Sequence, residues 1–89
     1  TVGGALQIDN NDTLTNLEGL NSLVTIGENL EITANNALTN LEGLNNLTSV
    51  DGDLKINYND ALCQSLVNAL LEGITVGGSV TTTGNDDGC

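Results

Sequence analysis

The sequence predicts a mainly β protein, a parallel β-solenoid of about three and a half coils with one short helix in the third. Three observations carry this. Residues 4–26, GALQIDNNDTLTNLEGLNSLVTI, align with residues 28–50, ENLEITANNALTNLEGLNNLTSV, at an offset of 24, and the block LTNLEGLN is identical at 14–21 and 38–45. Aliphatic residues fall into columns under that offset. An asparagine recurs in one column of every copy. A fixed period of this length marks one structural unit stacked on its neighbours. The chain reads as a single domain, 1–89, divided into repeats 4–27, 28–51, 52–77 and a partial repeat 78–89, the last offset being 26.

The first element of each repeat is a strand. Leu6-Gln7-Ile8-Asp9, Leu30-Glu31-Ile32-Thr33 and Leu54-Lys55-Ile56-Asn57 alternate apolar and polar, the period of a strand with one buried face. Leu6, Leu30, Leu54 and Val80 form one core column; Ile8, Ile32 and Ile56 form another, which Thr82 ends. Like aliphatic side chains one coil apart pack on each other. The arm that follows carries Leu14, Leu17, Leu20 and Leu23 at a spacing of three, with Gly19 inside it. That spacing fits a tight 3₁₀-like turn better than a strand, and the glycine opposes a long helix. A second short strand is expected at Val24–Ile26, Ser49–Val50 and Ile74–Val76, each followed by a glycine-containing corner. In the third repeat, Leu66, Ala69, Leu70 and Gly73 follow i, i+3, i+4, i+7 spacing, which predicts a short amphipathic helix ending at Gly73.

Asn11, Asn35, Asn59 and Asn85 occupy one column. Stacked amides at a corner hydrogen-bond to one another and to turn backbone, so the column reads as a structural ladder; a polar binding row is the alternative. Cys63 and Cys89 are 26 residues apart, equal to the last offset, and so share a column in adjacent coils. Parallel neighbours lie about 4.8 Å apart, within disulfide reach. Free thiols and an intermolecular bond are the alternatives. A disulfide implies an oxidising compartment, secreted, periplasmic or at the cell surface, of which secreted or cell-surface is the expectation.

The charge balance narrows the partners. The chain carries a net charge of −11, with Lys55 its only basic side chain and no histidine. Nucleic acid and anionic membrane surfaces are excluded on that balance. No apolar run is long enough to span a bilayer. The only aromatic ring is Tyr58, so the core is built from Leu, Ile and Val. The chain opens inside a repeat, at Thr1-Val2, and so reads as the C-terminal part of a longer array. Asn11-Asp12-Thr13 and Asn46-Leu47-Thr48 are formal glycosylation sequons, a pattern that also arises by chance in so asparagine-rich a chain.

The pattern G-x-L-x-I-x-x-N-x-x-L-T-N-L-E-G-L-x-x-L-x-x-I, clearest in ALTNLEGLNNLTSVDGDLKI, resembles the receptor L-domain family. The resemblance implies a leucine-rich, right-handed β-helix of the kind found in receptor ectodomains and in secreted bacterial and fungal surface proteins. The tail, NDALCQ to VTTTGNDDGC, resembles that of secreted bacterial members. The family shares no catalytic residues, so the resemblance implies none here. The chain has few coils and lacks the cysteine-rich neighbours of the receptor members, so their ligand specificity does not transfer.

The residues themselves carry no nucleophile–base chemistry. Without histidine neither a Ser/His nor a Cys/His pair exists. Glu18 and Glu42 share a column and lack the contrasting environments of an acid and a base. No cofactor is expected. Calcium is a weak possibility at Asp9, Asp12, Asp51, Asp53, Asp86 and Asp87, whose spacing matches neither an EF-hand nor the glycine-rich nonapeptide repeat. A solvated acidic surface is the competing reading. Two functions remain. One is a non-catalytic extracellular or cell-surface module for protein or glycan recognition or scaffolding. The other is a structural subunit that stacks end to end with its own copies into a filament.

Overall fold

A computed structural model describes residues 3–86 and residue 88. Strands β1 (Leu6–Asp9), β3 (Leu30–Thr33), β5 (Leu54–Asn57) and β7 (Val80–Thr81) form a four-stranded parallel sheet in that order. Strands β2 (Thr25–Ile26), β4 (Ser49–Val50) and β6 (Thr75–Val76) form a second, three-stranded parallel sheet. Two 3₁₀ turns, Glu18–Leu20 and Glu42–Leu44, and one helix, α1 (Gln64–Glu72), join the sheets.

This corrects the fold class that the repeat predicted. Two small parallel sheets and a helix make a mixed α/β arrangement, not a clear β-solenoid. The cause lies in the strand lengths and the connections. The strands have four residues or only two, and the arms between them hold the 3₁₀ turns and the helix that the leucine spacing predicted, so extended backbone is a minor part of each repeat.

The repeat offset nevertheless sets the register. Leu6 pairs with Leu30, Leu30 with Leu54 and Leu54 with Val80. The same offsets bring Ile26 to Val50 and Val50 to Val76. Each repeat bonds to the next at matching positions: Leu6 N–H to Asn29 O, Leu30 N–H to Asp53 O and Leu54 N–H to Ser79 O, all at 2.9 Å. The core is the stack of inward aliphatics between the sheets. Ile26, Leu30, Ile32, Leu38, Leu44, Val50, Leu54, Ile56 and Leu62 are fully buried. Leu6 and Ile8 are only partly buried, and Val80 is 49% exposed, because each lies at an end of the stack.

The two 3₁₀ turns lie against each other, and Gly43 sits at their closest approach. A Cβ at Gly43 would overlap the Leu17 carbonyl, so only glycine fits there. Gly84 meets a different demand: its φ is +78°, and a Cβ would strike the Tyr58 ring.

Helix α1 ends at Gly73, whose N–H bonds Leu70 O at 3.1 Å. Its inward face differs from the predicted stripe. Val67 is fully buried and Leu70, Leu71 and Ile74 pack beside it, whereas Leu66 is 42% exposed. The stripe that meets the core is therefore 67, 70, 71 and 74, which also satisfies helical spacing.

Candidate functional site

The ordered polar rows are the features from which a site can be built. The most ordered is the asparagine column. The N–H of Asn11, Asn35 and Asn59 bonds the Oδ1 of the next asparagine at 3.1, 3.0 and 3.2 Å. The Nδ2 of each donates to the same oxygen, at 3.0, 3.2 and 3.1 Å. The second Nδ2 hydrogen turns back to a strand carbonyl: Asn35 to Ile8 O at 2.8 Å, Asn59 to Ile32 O at 3.0 Å and Asn85 to Ile56 O at 2.6 Å. Asn35 and Asn59 are fully buried. Their amides are consumed by these internal bonds, and burial makes each bond costly to lose.

The backbone just before the column explains how the amides are aimed. Asn10, Ala34 and Tyr58 have φ of 56°, 58° and 57°, and Gly84 has 78°. This left-handed residue directly follows β1, β3 and β5, and at Ala34 and Tyr58 the asparagine after it is buried. Asparagine and glycine take this conformation readily; alanine and tyrosine do so at a cost of about 1–2 kcal/mol. Sequence reasoning missed this column, because four different residue types hide one backbone state.

The two ends of the ladder differ. At the last repeat, the Asn85 Nδ2 also donates to Gln64 Oε1 at 3.2 Å, so the first residue of α1 closes that end. At the first repeat, Asn11 is exposed and its Nδ2 donates to Asp9 O at 3.0 Å and to Asn35 Oδ1. Asn11 is also the acceptor residue of one sequon, and both its amide hydrogens are engaged. Asn46, in the other sequon, is exposed and donates to Asn21 O at 2.6 Å.

The outward face of the four-stranded sheet bears two polar columns, Gln7/Glu31/Lys55/Thr81 and Asp9/Thr33/Asn57, aligned by the strand register. The Gln7 amide donates to Asp9 Oδ2. Glu31 titrates above the usual carboxylate range, first through its pairing with the Asp9 carboxyl, then through desolvation and the Asp9 charge; Lys55 opposes the shift. Asp9 Oδ1 is shielded from solvent and has no hydrogen-bond partner.

Of the remaining acidic candidates, Asp12 and Asp51 are exposed, and Asp53 and Asp86 bond backbone at turns. Asp53 N–H bonds Asn29 Oδ1 at 2.8 Å, and Asp53 Oδ1 accepts Ser79 N–H at 2.9 Å. Asp86 Oδ1 accepts Gly88 N–H at 3.0 Å. Asp87 lies outside the described residues. Among the described residues, no group of three or more acidic, cysteine or histidine side chains is placed to hold a metal ion. Cys63 is disulfide-bonded. Its expected partner, Cys89, lies outside the described residues.

Grooves also mark the surface. One, of about 190 Å³, runs between the second 3₁₀ turn and α1, with Leu41, Glu42, Leu66 and Leu70 in its walls. The other, of about 370 Å³, lies at the first repeat between β1 and the first 3₁₀ turn. Among the described residues, no helix is long and apolar enough to cross a membrane. No family model, curated protein or solved structure matches the chain.

Proposed function

We propose that the protein is a non-catalytic extracellular or cell-surface module that recognises or scaffolds a protein or glycan through the outward face of its four-stranded sheet. The observation that carries this reading is the register of that sheet. It sets Gln7, Glu31 and Lys55, and beside them Asp9, Thr33 and Asn57, in rows at the strand spacing, on a backbone held rigid by the ladder beneath. A fixed lattice of short donors and acceptors suits hydroxyl-rich or extended-chain ligands, because little side-chain entropy is lost on binding. The disulfide at Cys63 supports an oxidising location. The likeness of the repeat to the receptor L-domain pattern points the same way.

The test is binding of the purified chain to a defined glycan array and to immobilised extracellular-matrix proteins, with Thr33→Arg and Lys55→Glu as face variants. Binding that falls with both variants supports the reading. Absence of binding, or binding indifferent to both, overturns it.

The filament reading draws support from the open outer edges of β1 and β7, each paired on one side only. It is weakened by the Gln64 closure of the ladder.

A further inference from the structure

The third repeat departs from the first two in its arm. Repeats 4–27 and 28–51 carry the 3₁₀ turns Glu18–Leu20 and Glu42–Leu44; repeat 52–77 carries α1, Gln64–Glu72, in that place. A nine-residue α-helix is about 13 Å long and a three-residue 3₁₀ turn about 6 Å, so the helix cannot copy the turn it lies beside. The groove of about 190 Å³ runs along this seam, lined by Leu41, Leu66, Ala69 and Leu70 together with Glu42 and Asn45. Both walls come from repeats that have a neighbour on either side within the chain. Leu66 is 42% exposed and lies off the stripe that meets the core, so its apolar surface faces the groove and not the interior. Glu42 and Asn45 are exposed. The Glu42 N–H donates to Asn40 Oδ1 at 3.2 Å, but among the described residues the Glu42 carboxylate has no hydrogen-bond or ion-pair partner. Helix α1 has no basic residue and ends on Glu72, against the sign that its C-terminal dipole favours.

We infer that this groove is a docking site for a basic segment of another protein, one that inserts a single leucine-sized side chain between lysine or arginine residues. Size sets the anchor: a cavity of about 150 Å³ holds a benzene-sized group, so the groove takes one branched aliphatic side chain or one ring. The walls set its chemistry. An apolar side chain seated there removes Leu66 and Leu70 from water, whereas a sugar would press its hydroxyls against leucine. Charge sets what flanks the anchor. Glu42 stands at the groove with its carboxylate unpaired, on a chain of net charge −11. A basic flank is drawn to that field and an acidic one is repelled. The same balance opposes a second copy of this chain, whose only basic side chain is Lys55. The groove shares no residue with the outward sheet face, so the inference goes beyond the reading proposed above and does not rest on it.

The probes are two fluorescent peptides, Lys-Arg-Leu-Lys-Arg and Lys-Arg-Ser-Lys-Arg, titrated against the full chain by polarisation at low and at high salt. The leucine peptide should bind about tenfold or more tightly than the serine peptide. Ala69→Trp fills the groove from an exposed helix position and should weaken the leucine peptide about tenfold or more. Leu66→Gln, at another exposed position, removes one apolar wall and should weaken it about threefold or more, which keeps the inference testable if the larger substitution disturbs α1. Glu42→Gln should weaken binding and flatten its salt dependence, whereas Asp12→Asn, an equal loss of charge at a position that does not line the groove, should leave both nearly unchanged. No binding of the leucine peptide, equal binding of the two peptides, or binding indifferent to Ala69→Trp and Leu66→Gln overturns the inference. Binding that Asp12→Asn weakens as much as Glu42→Gln would mark diffuse attraction to an acidic surface and overturn it as well. Self-association of the chain that Ala69→Trp abolishes would assign the groove to a second copy and overturn the choice of partner. Thr33→Arg leaves the groove untouched. A failed peptide titration therefore overturns this site alone, and a failed array overturns the sheet-face reading alone.

Discussion

Consider Asn35 replaced by leucine, a change that keeps volume and removes the amide. Four side-chain hydrogen bonds disappear. The lost donors reach Ile8 O at 2.8 Å and Asn59 Oδ1 at 3.2 Å, and the lost acceptor serves Asn11 N at 3.1 Å and Asn11 Nδ2 at 3.0 Å. A typical bond of this kind contributes about 1 kcal/mol net, and a buried group left without a partner costs about 1–3 kcal/mol. Water can replace part of the loss at exposed Asn11 but not at Ile8 O beneath the ladder. The balance is a destabilisation of about 3–4 kcal/mol, a large share of the roughly 4–13 kcal/mol expected of a chain this size. Asn11→Leu, made at the exposed end, should cost only about 1 kcal/mol. Urea unfolding followed by circular dichroism, with both variants fitted at a common slope, measures the difference. Equal losses for the two variants, or a loss below about 1 kcal/mol for Asn35→Leu, would refute the view that the buried amides hold the repeats together.

Other outcomes follow from the same geometry. Gly43→Ala should lose about 3 kcal/mol or more, since its methyl would overlap the Leu17 carbonyl, while Gly19→Ala should be neutral or slightly stabilising; thermal melts of the pair check this. Ala34→Gly relieves a φ of 58° and should stabilise by about 0.5 kcal/mol once the freer unfolded chain is counted; a loss in urea unfolding would show that the Ala34 methyl packs usefully. Glu31 titrates high because of Asp9, so its favourable contribution is complete below the unfolded carboxylate range and is lost as pH rises through the folded value. Glu31→Gln should therefore be at least as stable as the parent at neutral pH and equal to it in acid. A less stable Glu31→Gln at neutral pH would mean that Lys55 outweighs Asp9.

The sequence was most legible where one offset forces identical neighbours together. Leu30 over Leu54, and the run of Asn11, Asn35, Asn59 and Asn85, need only the period to be found, because in-register stacking is the one arrangement that satisfies every copy. The fold class was misread because the period reports stacking and not how much of each repeat is extended; the 3₁₀ arms and the helix were expected, yet the strands they join have only two to four residues. Val67 was overlooked in favour of Leu66 because both lie on helical stripes, and only the position of α1 against Leu62 and Ile74 decides which stripe turns inward. Gly19 and Gly43 sit in identical octapeptides and differ solely in what lies above them, a difference no local pattern encodes.

The backbone ties between units reach 22 to 27 residues along the chain, from each unit to its neighbour, and they lie along the direction in which the units are piled. A pull applied at the two ends of the pile would thus strain one layer at a time, peeling it like a strip of tape. Each event before the crosslink at Cys63 would pay out about 80 Å of slack. Under tension such a molecule yields in steps, one unit at a time.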